Sequence, residues 1–527
     1  MVHELPLAIA ERDPQRVALT HGSERITYGA LAKQIHAVTS ALLSIDIHRG
    51  DRVAIYLEKR FENVIAVFAA ACAGSIFVPV NPLLKPEQVA HILADCSARV
   101  LITSSQRLEA IEDALSNKCG ALQHVLTVDD SCTPSRKVPY VVHTWAEALD
   151  AHVGSGHRVI DSDAAAILYT SGSTGHPKGV VLSHRNIVAG ARSVAHYLEN
   201  TADDILLAVL PLSFDAGFSQ LTTGFLVGAR IVLLNYLLAK DLINTLSTEK
   251  VTGLTAVPTL YIQLCRLDWP ATITDHLRYF ANTGGRMPRE TLKRLQAMLP
   301  RTKVFLMYGL TEAFRATYLP PDEVDRRPDS IGRAIPNTEV LVLREDGTPC
   351  ATNEPGELVQ RGALVSLGYW NDRERTAARF RPLLLRLAGV VTPDIAVFSG
   401  DTVRRDEEGF LYFIGRRDEM IKTSGYRVSP TEVEDVLDAT ELVREAAVFG
   451  VPHPKLGEAI VAVVVLRPRT VATAEILIKK CARHLPMYMV PLHIELRADA
   501  LPQNANGKID RKLLACQFVS LFGGPSI

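Results

Sequence analysis

Residues 169–179 read Tyr-Thr-Ser-Gly-Ser-Thr-Gly-His-Pro-Lys-Gly, placing four Ser/Thr hydroxyls, three glycines and one lysine in a single short stretch. Glycines let a backbone turn so that several N–H groups converge on one point. Thr170, Ser171, Ser173 and Thr174 add side-chain donors, Gly172 and Gly175 the turns, and Lys178 a positive charge. Such a loop suits a polyphosphate. It is not a Walker A loop, because Lys178 stands between Pro177 and Gly179 and no hydroxyl follows it to ligate magnesium.

Further chemistry-bearing residues lie downstream. Met307-Tyr-Gly-Leu-Thr-Glu312 follows a β-like run, and ligands usually bind at the carboxyl end of a parallel strand. There Thr311 can donate to a phosphate, Glu312 can hold magnesium, and Tyr308 offers a flat face to a purine. An ordinary strand-to-loop transition explains the hexapeptide equally well. Thr283-Gly-Gly285 could let a base approach the backbone, and a tight turn before Pro288 accounts for it as well. Asp401, in Ser399-Gly-Asp401, could accept both ribose hydroxyls, although a lone turn aspartate is usually structural. Lys508 follows the turn signal Asn506-Gly507, which would present it on a loop tip.

These residues need elements to position them. Val53–Tyr56, Val100–Thr103, Ile205–Leu210, Arg230–Leu234, Gly253–Val257 and Val304–Met307 read as strands. Tyr28–Leu43, Pro86–Leu93, Arg185–Glu199 and Pro288–Met298 read as helices. The alternation predicts an α/β fold of parallel sheets covered by helices. After about residue 335, short strands between turn signals predict a small β-subdomain. A small α+β unit follows, giving domains of 1–417 and 418–527 with a boundary near Asp418. The length of 527 residues itself calls for more than one domain.

Composition excludes several partners. Net charge is −1, from 57 basic and 58 acidic residues, so nothing suggests nucleic acid or an anionic membrane surface. The uncharged run Asn63–Leu84 is broken by Gly74, Ser75, Pro79 and Pro82; it reads as a buried helix and strand, not a membrane span. Eight cysteines form no Cys-x-x-Cys pair or zinc spacing, and a reducing cytoplasmic setting is expected. The N-terminus lacks signal-peptide features.

The pieces occur in the order phosphate loop, Tyr-Gly-x-Thr-Glu, Gly-Asp, Gly-Arg-x-Asp, Asn-Gly-Lys. That order, from Ile26-Thr-Tyr28 to Lys512, resembles the adenylate-forming superfamily of acyl-CoA synthetases, nonribosomal peptide adenylation domains and firefly luciferase. The resemblance implies a carboxylate attacking the α-phosphorus of ATP, then a pantetheine thiol displacing AMP. It implies ATP and Mg2+, with Thr170–Lys178 on the β/γ-phosphates, Thr311 on phosphate and Glu312 on the metal. Gly284, Gly285, Tyr308 and Gly309 would border the adenine, and Asp401 and Arg416 the ribose. Lys508 would bridge the carboxylate and the α-phosphate or ribose, Asp418 would be the hinge of a mobile C-terminal domain, and Gly425 would flank the pantetheine tunnel.

For the acid, Phe214-Asp215 resembles the form in amino-acid-activating members, where the aspartate pairs with the substrate ammonium. A loop aspartate capping Ala216–Leu221 is the plainer account, and Gly217 stands where the family more often has serine. The resulting expectation is a stand-alone ligase loading an amino acid such as proline onto a phosphopantetheinyl carrier protein. The alternative is a coenzyme A ligase for a fatty or other organic acid. Residues 381–397 are longer than expected before the Gly-Asp motif, suggesting a surface hairpin or docking loop.

Overall fold

The computed structural model describes residues 1–129, 139–151, 156–170, 177–383, 393–416, 419–423, 426–454, 456–504 and 507–523. Two compact units are formed by Met1–Val340 with Gln360–Phe398, and by Leu341–Val359 with Ser399–Ile527.

Two sheets organise the first unit. In one, strands run in the spatial order Val141–Thr144, His124–Thr127, Val100–Thr103, Arg52–Tyr56, Ile76–Pro79, Ala164–Thr170, Lys178–Ser183. All neighbours are parallel except the last pair, an antiparallel hairpin with Thr170 opposite Lys178. The phosphate-loop residues Ser171, Gly172, Ser173, Thr174 and Gly175 lie outside the described residues, but both strands that frame them are in place. The other sheet carries the parallel strands Arg230–Leu233, Ile205–Ala208, Gly253–Ala256, Tyr279–Asn282 and Lys303–Tyr308.

The core explains why these segments form what they form. The uncharged run becomes helix Phe61–Ala73 and strand Ile76–Pro79, almost wholly buried. Gly74 caps the helix at φ +84°, the left-handed region that favours glycine. Phe68 meets Phe218 and Phe225 of helix Asp215–Val227, at ring-centroid distances of 6.4 and 5.2 Å. This aromatic packing anchors the helix whose first residue is Asp215. Among the described residues no helix is long and apolar enough to cross a membrane.

In the second unit, strand Leu411–Arg416 pairs antiparallel with Ile395–Arg405, bringing Asp401 opposite Arg416. A further sheet holds Ile421–Thr423, Tyr426–Val428, Val443–His453, Gly457–Leu466 and His493–Arg497, with helices Pro430–Asp438, Ala474–His484 and Arg511–Gln517. The expected boundary residue Asp418 and tunnel residue Gly425 lie outside the described residues. In the first unit, the ends of the long 381–397 segment form a hairpin, with Phe380–Pro382 antiparallel to Val397, Ala396 and Ile395.

The glycine at 217 has a steric cause. A Cβ built there would lie 1.9 Å from the Pro211 carbonyl oxygen, which accepts from the Phe214 N–H at 3.1 Å. Replacing Gly217 with alanine forces that turn apart. Gly217→Ala is expected to lose about 1–3 kcal/mol of stability in urea unfolding; unchanged stability would show that the Pro211 turn yields freely.

Candidate active site

The hairpin that frames the phosphate loop delivers Lys178 to a buried carboxylate. Lys178 Nζ donates to Glu312 Oε1 at 2.8 Å and to the Tyr369 hydroxyl oxygen at 2.9 Å. The Tyr369 hydroxyl in turn donates to the same Glu312 oxygen at 2.6 Å. Lys178 also lies 4.5 Å from the centre of the Tyr369 ring, within cation–π range.

Local structure explains each position. Glu312 sits in a short 3-10 turn, Thr311–Ala313, immediately after strand Lys303–Tyr308. Two residues later Phe314 adopts φ +54°, a strained conformation for a residue with a side chain. Its ring fits because Gly190 has no side chain: a Cβ there would lie 2.5 Å from the ring. Tyr369 is held by main-chain pairing, with Leu367 N–H donating to Val181 and Trp370 N–H to Gly179. Sequence reasoning missed Tyr369. The only local signal was Gly368-Tyr369-Trp370 beyond a strand, since its partner Lys178 is 191 positions away.

Electrostatics favour an ionised Glu312. Burial alone would raise its carboxyl, but the Lys178 ammonium and the Tyr369 hydroxyl outweigh burial and lower it from 4.5 to about 2. Burial and the adjacent Glu312 carboxylate push the Tyr369 phenol up. The result is a buried carboxylate held ionised beside the strand that begins at Lys178.

Asp215 has partners within the chain. Its Oδ2 accepts from the Thr311 hydroxyl at 3.2 Å and lies 3.9 Å from Arg315 Nη1, and its Oδ1 accepts from the Ala216 N–H at 2.6 Å. Asp215 and Arg315 are both buried. A guanidinium therefore stands beside the aspartate that was expected to pair with a substrate ammonium. Thr311, expected on phosphate, is here bound to Asp215. Asp215 is the first residue of its helix, and Phe214 is the N-cap with no side-chain cap bond. Arg315 was not identified from the sequence; it was simply one charge in an apolar run.

The remaining expected residues divide as follows. Tyr308 ends its strand half-buried with Gly309 exposed beside it. Gly284, at φ +78°, and Gly285 form a turn closed by Asn282 Nδ2 donating to the Gly285 carbonyl at 2.8 Å. In the second unit, Arg416 Nε lies 3.2 Å from Asp401 Oδ1. There too Lys508 is exposed; its N–H donates to Asn504 Oδ1 at 3.1 Å, after Gly507 at φ +75°. Asn506, half of the turn signal expected before Lys508, lies outside the described residues.

An α/β fold with a charged loop hairpin beside a strand-end carboxylate is the arrangement of a nucleotide-using enzyme. Comparison agrees. The chain matches the AMP-binding enzyme family over residues 8–370 and the AMP-binding enzyme C-terminal domain over residues 432–508, and it belongs to that family. More narrowly, it is an enzyme of the AMP-forming acid–thiol ligase group. It is 30% identical to a long-chain-fatty-acid–CoA ligase of Salmonella typhimurium, over 96% of this chain and 92% of that protein. It is 32% identical to an L-proline–[L-prolyl-carrier protein] ligase of Streptomyces coelicolor, over 94% and 92%. Among solved structures, ATP-bound MatB from Rhodopseudomonas palustris superposes with TM-score 0.87 at 25% identity, covering 99% of this chain and 100% of that one. O-succinylbenzoate coenzyme A synthetase from Bacillus subtilis, in complex with ATP and magnesium, gives 0.81 at 27% identity, covering 97% and 98%.

The depressed Glu312 carboxyl has a pH consequence. A carboxyl lowered in the folded state stabilises it above about pH 4.5, and that contribution is lost as pH falls toward about 2. Its size is on the order of 3 kcal/mol. Urea unfolding of the wild type, minus that of Glu312→Gln, should shrink across this window. A difference independent of pH would contradict the ion pair.

Proposed function

We propose that this enzyme activates a carboxylic acid with ATP and passes it to a pantetheine thiol. A carboxylate oxygen attacks the α-phosphorus, the α–β phosphoanhydride bond breaks, and pyrophosphate leaves. The thiolate sulfur then attacks the acyl carbon of the acyl-adenylate, and AMP departs with the bridging oxygen. The observation that supports this most is the pairing of half-buried Lys178, at the start of its strand, with the buried carboxylate of Glu312. Lys178 can exchange its carboxylate partner for phosphate oxygens once ATP is bound, and so steady the leaving pyrophosphate.

The donor chemistry fits magnesium: Glu312 is an ionised, buried carboxylate, and a hard cation takes such an oxygen together with phosphate oxygens. When bound, the ion would neutralise phosphate charge. In this reading the loop Thr170–Gly175 with Lys178 grips the β/γ-phosphates and Thr311 turns from Asp215 toward phosphate. Gly284, Gly285, Tyr308 and Gly309 border the adenine. Asp401 and Arg416 hold the ribose, and Lys508 stabilises charge in the first step. The division into 1–417 and 418–527, a hinge at Asp418 and a thiol path at Gly425 complete the proposal. The free thiols of all seven described cysteines support a reducing cytoplasm.

For the acid, the similarity to a prolyl-carrier ligase and the Phe214-Asp215 pair support an amino acid, proline being one candidate, loaded onto a carrier protein. The Arg315 contact favours a second reading, an uncharged-tail organic acid passed to coenzyme A, because Asp215 is already compensated. ATP–pyrophosphate exchange over both acid classes decides. Asp215→Ala should abolish exchange if an ammonium is bound there; survival of amino-acid exchange in that variant rejects the first reading.

The two half-reactions separate the cations. Lys508→Ala should lower adenylate formation by about a hundredfold or more while sparing thioester formation from supplied acyl-adenylate. Equal loss in both steps would remove Lys508 from the first.

A further inference from the structure

Three segments of the first unit meet at Asp95, the last residue of helix Pro86–Asp95. A carboxylate is poorly placed there, because the carbonyl end of a helix carries partial negative charge. The last turn has no basic residue, and among the described residues no lysine or arginine forms an ion pair with Asp95. What the carboxylate has instead is the Tyr169 hydroxyl, which donates to Asp95 Oδ2. Burial, with Cys96 and Asp95 beside it, pushes that phenol above its usual range, so it stays protonated and remains the donor.

Tyr169 belongs to the hairpin that frames the phosphate loop. It immediately precedes Thr170, and it faces Gly179 across the hairpin while Thr170 faces Lys178. A Cβ on Gly179 would lie 2.6 Å from the Ile167 side chain and 3.1 Å from the Tyr169 ring. The tyrosine ring therefore lies against the residue that follows Lys178. The main chain of Asp95 is fastened to the segment that carries Tyr369. Its carbonyl, one of the helix-end acceptors without an intrahelical donor, accepts from Trp370 Nε1 at 3.1 Å and Asn371 Nδ2 at 3.0 Å. Asn371 adopts φ +52°, a conformation asparagine tolerates, and Arg52 lies over the Trp370 ring at 5.5 Å.

Asp95 thus joins the entry to the phosphate loop with the segment that holds Tyr369 on Glu312. We propose, building on the ligase reading above, that Asp95 and Tyr169 are positioning residues for adenylate formation. Their bond sets the hairpin that carries Thr170 and Lys178, with the Tyr369 segment as its anchor, so that the loop meets the β/γ-phosphates in register. Geometry at such a grip matters, since a misplacement of about 1 Å can cost on the order of a hundredfold in rate. The role is confined to one half-reaction. An acyl-adenylate carries no β- or γ-phosphate, so thioester formation from it does not use that grip.

The test takes an acid that the wild type accepts in ATP–pyrophosphate exchange, and the adenylate of that acid supplied with coenzyme A or pantetheine. Tyr169→Phe keeps the ring and removes only the hydroxyl. It should lower kcat/KM for ATP in exchange by about tenfold, mainly through KM, and leave thioester formation from the supplied adenylate unchanged. Asp95→Ala should match it, and the double variant should be no worse than either single one, because both remove the same bond. Asp95→Asn keeps an acceptor oxygen and should retain most of the wild-type value. Should Asp95→Ala not fold, Tyr169→Phe carries the test by itself. An unmoved KM for ATP in Tyr169→Phe, losses that multiply in the double variant, an Asn variant as impaired as the Ala variant, or equal loss in both half-reactions overturns the proposal. A wild type that performs neither half-reaction rejects the ligase reading, and this role with it.

Discussion

Half-buried Lys178 and the buried carboxylate of Glu312 form the ion pair that ties together the two sheets of the first unit. Lys178 belongs to the sheet that frames the phosphate loop, and Glu312 to the turn leaving the other sheet. One hydrogen-bonded pair therefore fixes two sheets at the point where a nucleotide would sit. A buried pair contributes little net stability, but removing one partner costs about 3–5 kcal/mol because the other is stranded. Tyr369 shares the carboxylate oxygen and keeps both charges in place.

A second ion pair in the first unit is buried on both sides: Asp215 and Arg315 lie 3.9 Å apart. The relatives include both fatty-acid and proline ligases, so the shared fold carries the reaction and the pocket carries the choice.

Much of the fold was legible in the chain. The strand expected at Val100–Thr103 is present with those limits, and the helix expected at Pro86–Leu93 extends only to Asp95. Apolar periodicity and flanking turn residues act within a few positions, so they survive without knowledge of the fold. Strand Lys178–Ser183 was not expected, because it is defined by antiparallel pairing with Ala164–Thr170, which only the folded chain shows. The departure at Gly217 could be seen but not explained until the Pro211 carbonyl was found against it.

By itself the sequence determined the class of chemistry: a loop of hydroxyls, glycines and Lys178, a strand-end Thr-Glu pair and an Asn-Gly-Lys turn all act through local backbone geometry. Only the tertiary structure decided what those charges face. Thr311 reaches Asp215 across 96 positions, and Tyr369 reaches Lys178 across 191. Charge compensation is a property of space, not of spacing, because a few ångströms of separation decide whether a charge is paired. Asp215 is an example: its sequence context left a substrate ammonium and a helix-capping role both open, and the fold adds Thr311 and Arg315 as its neighbours.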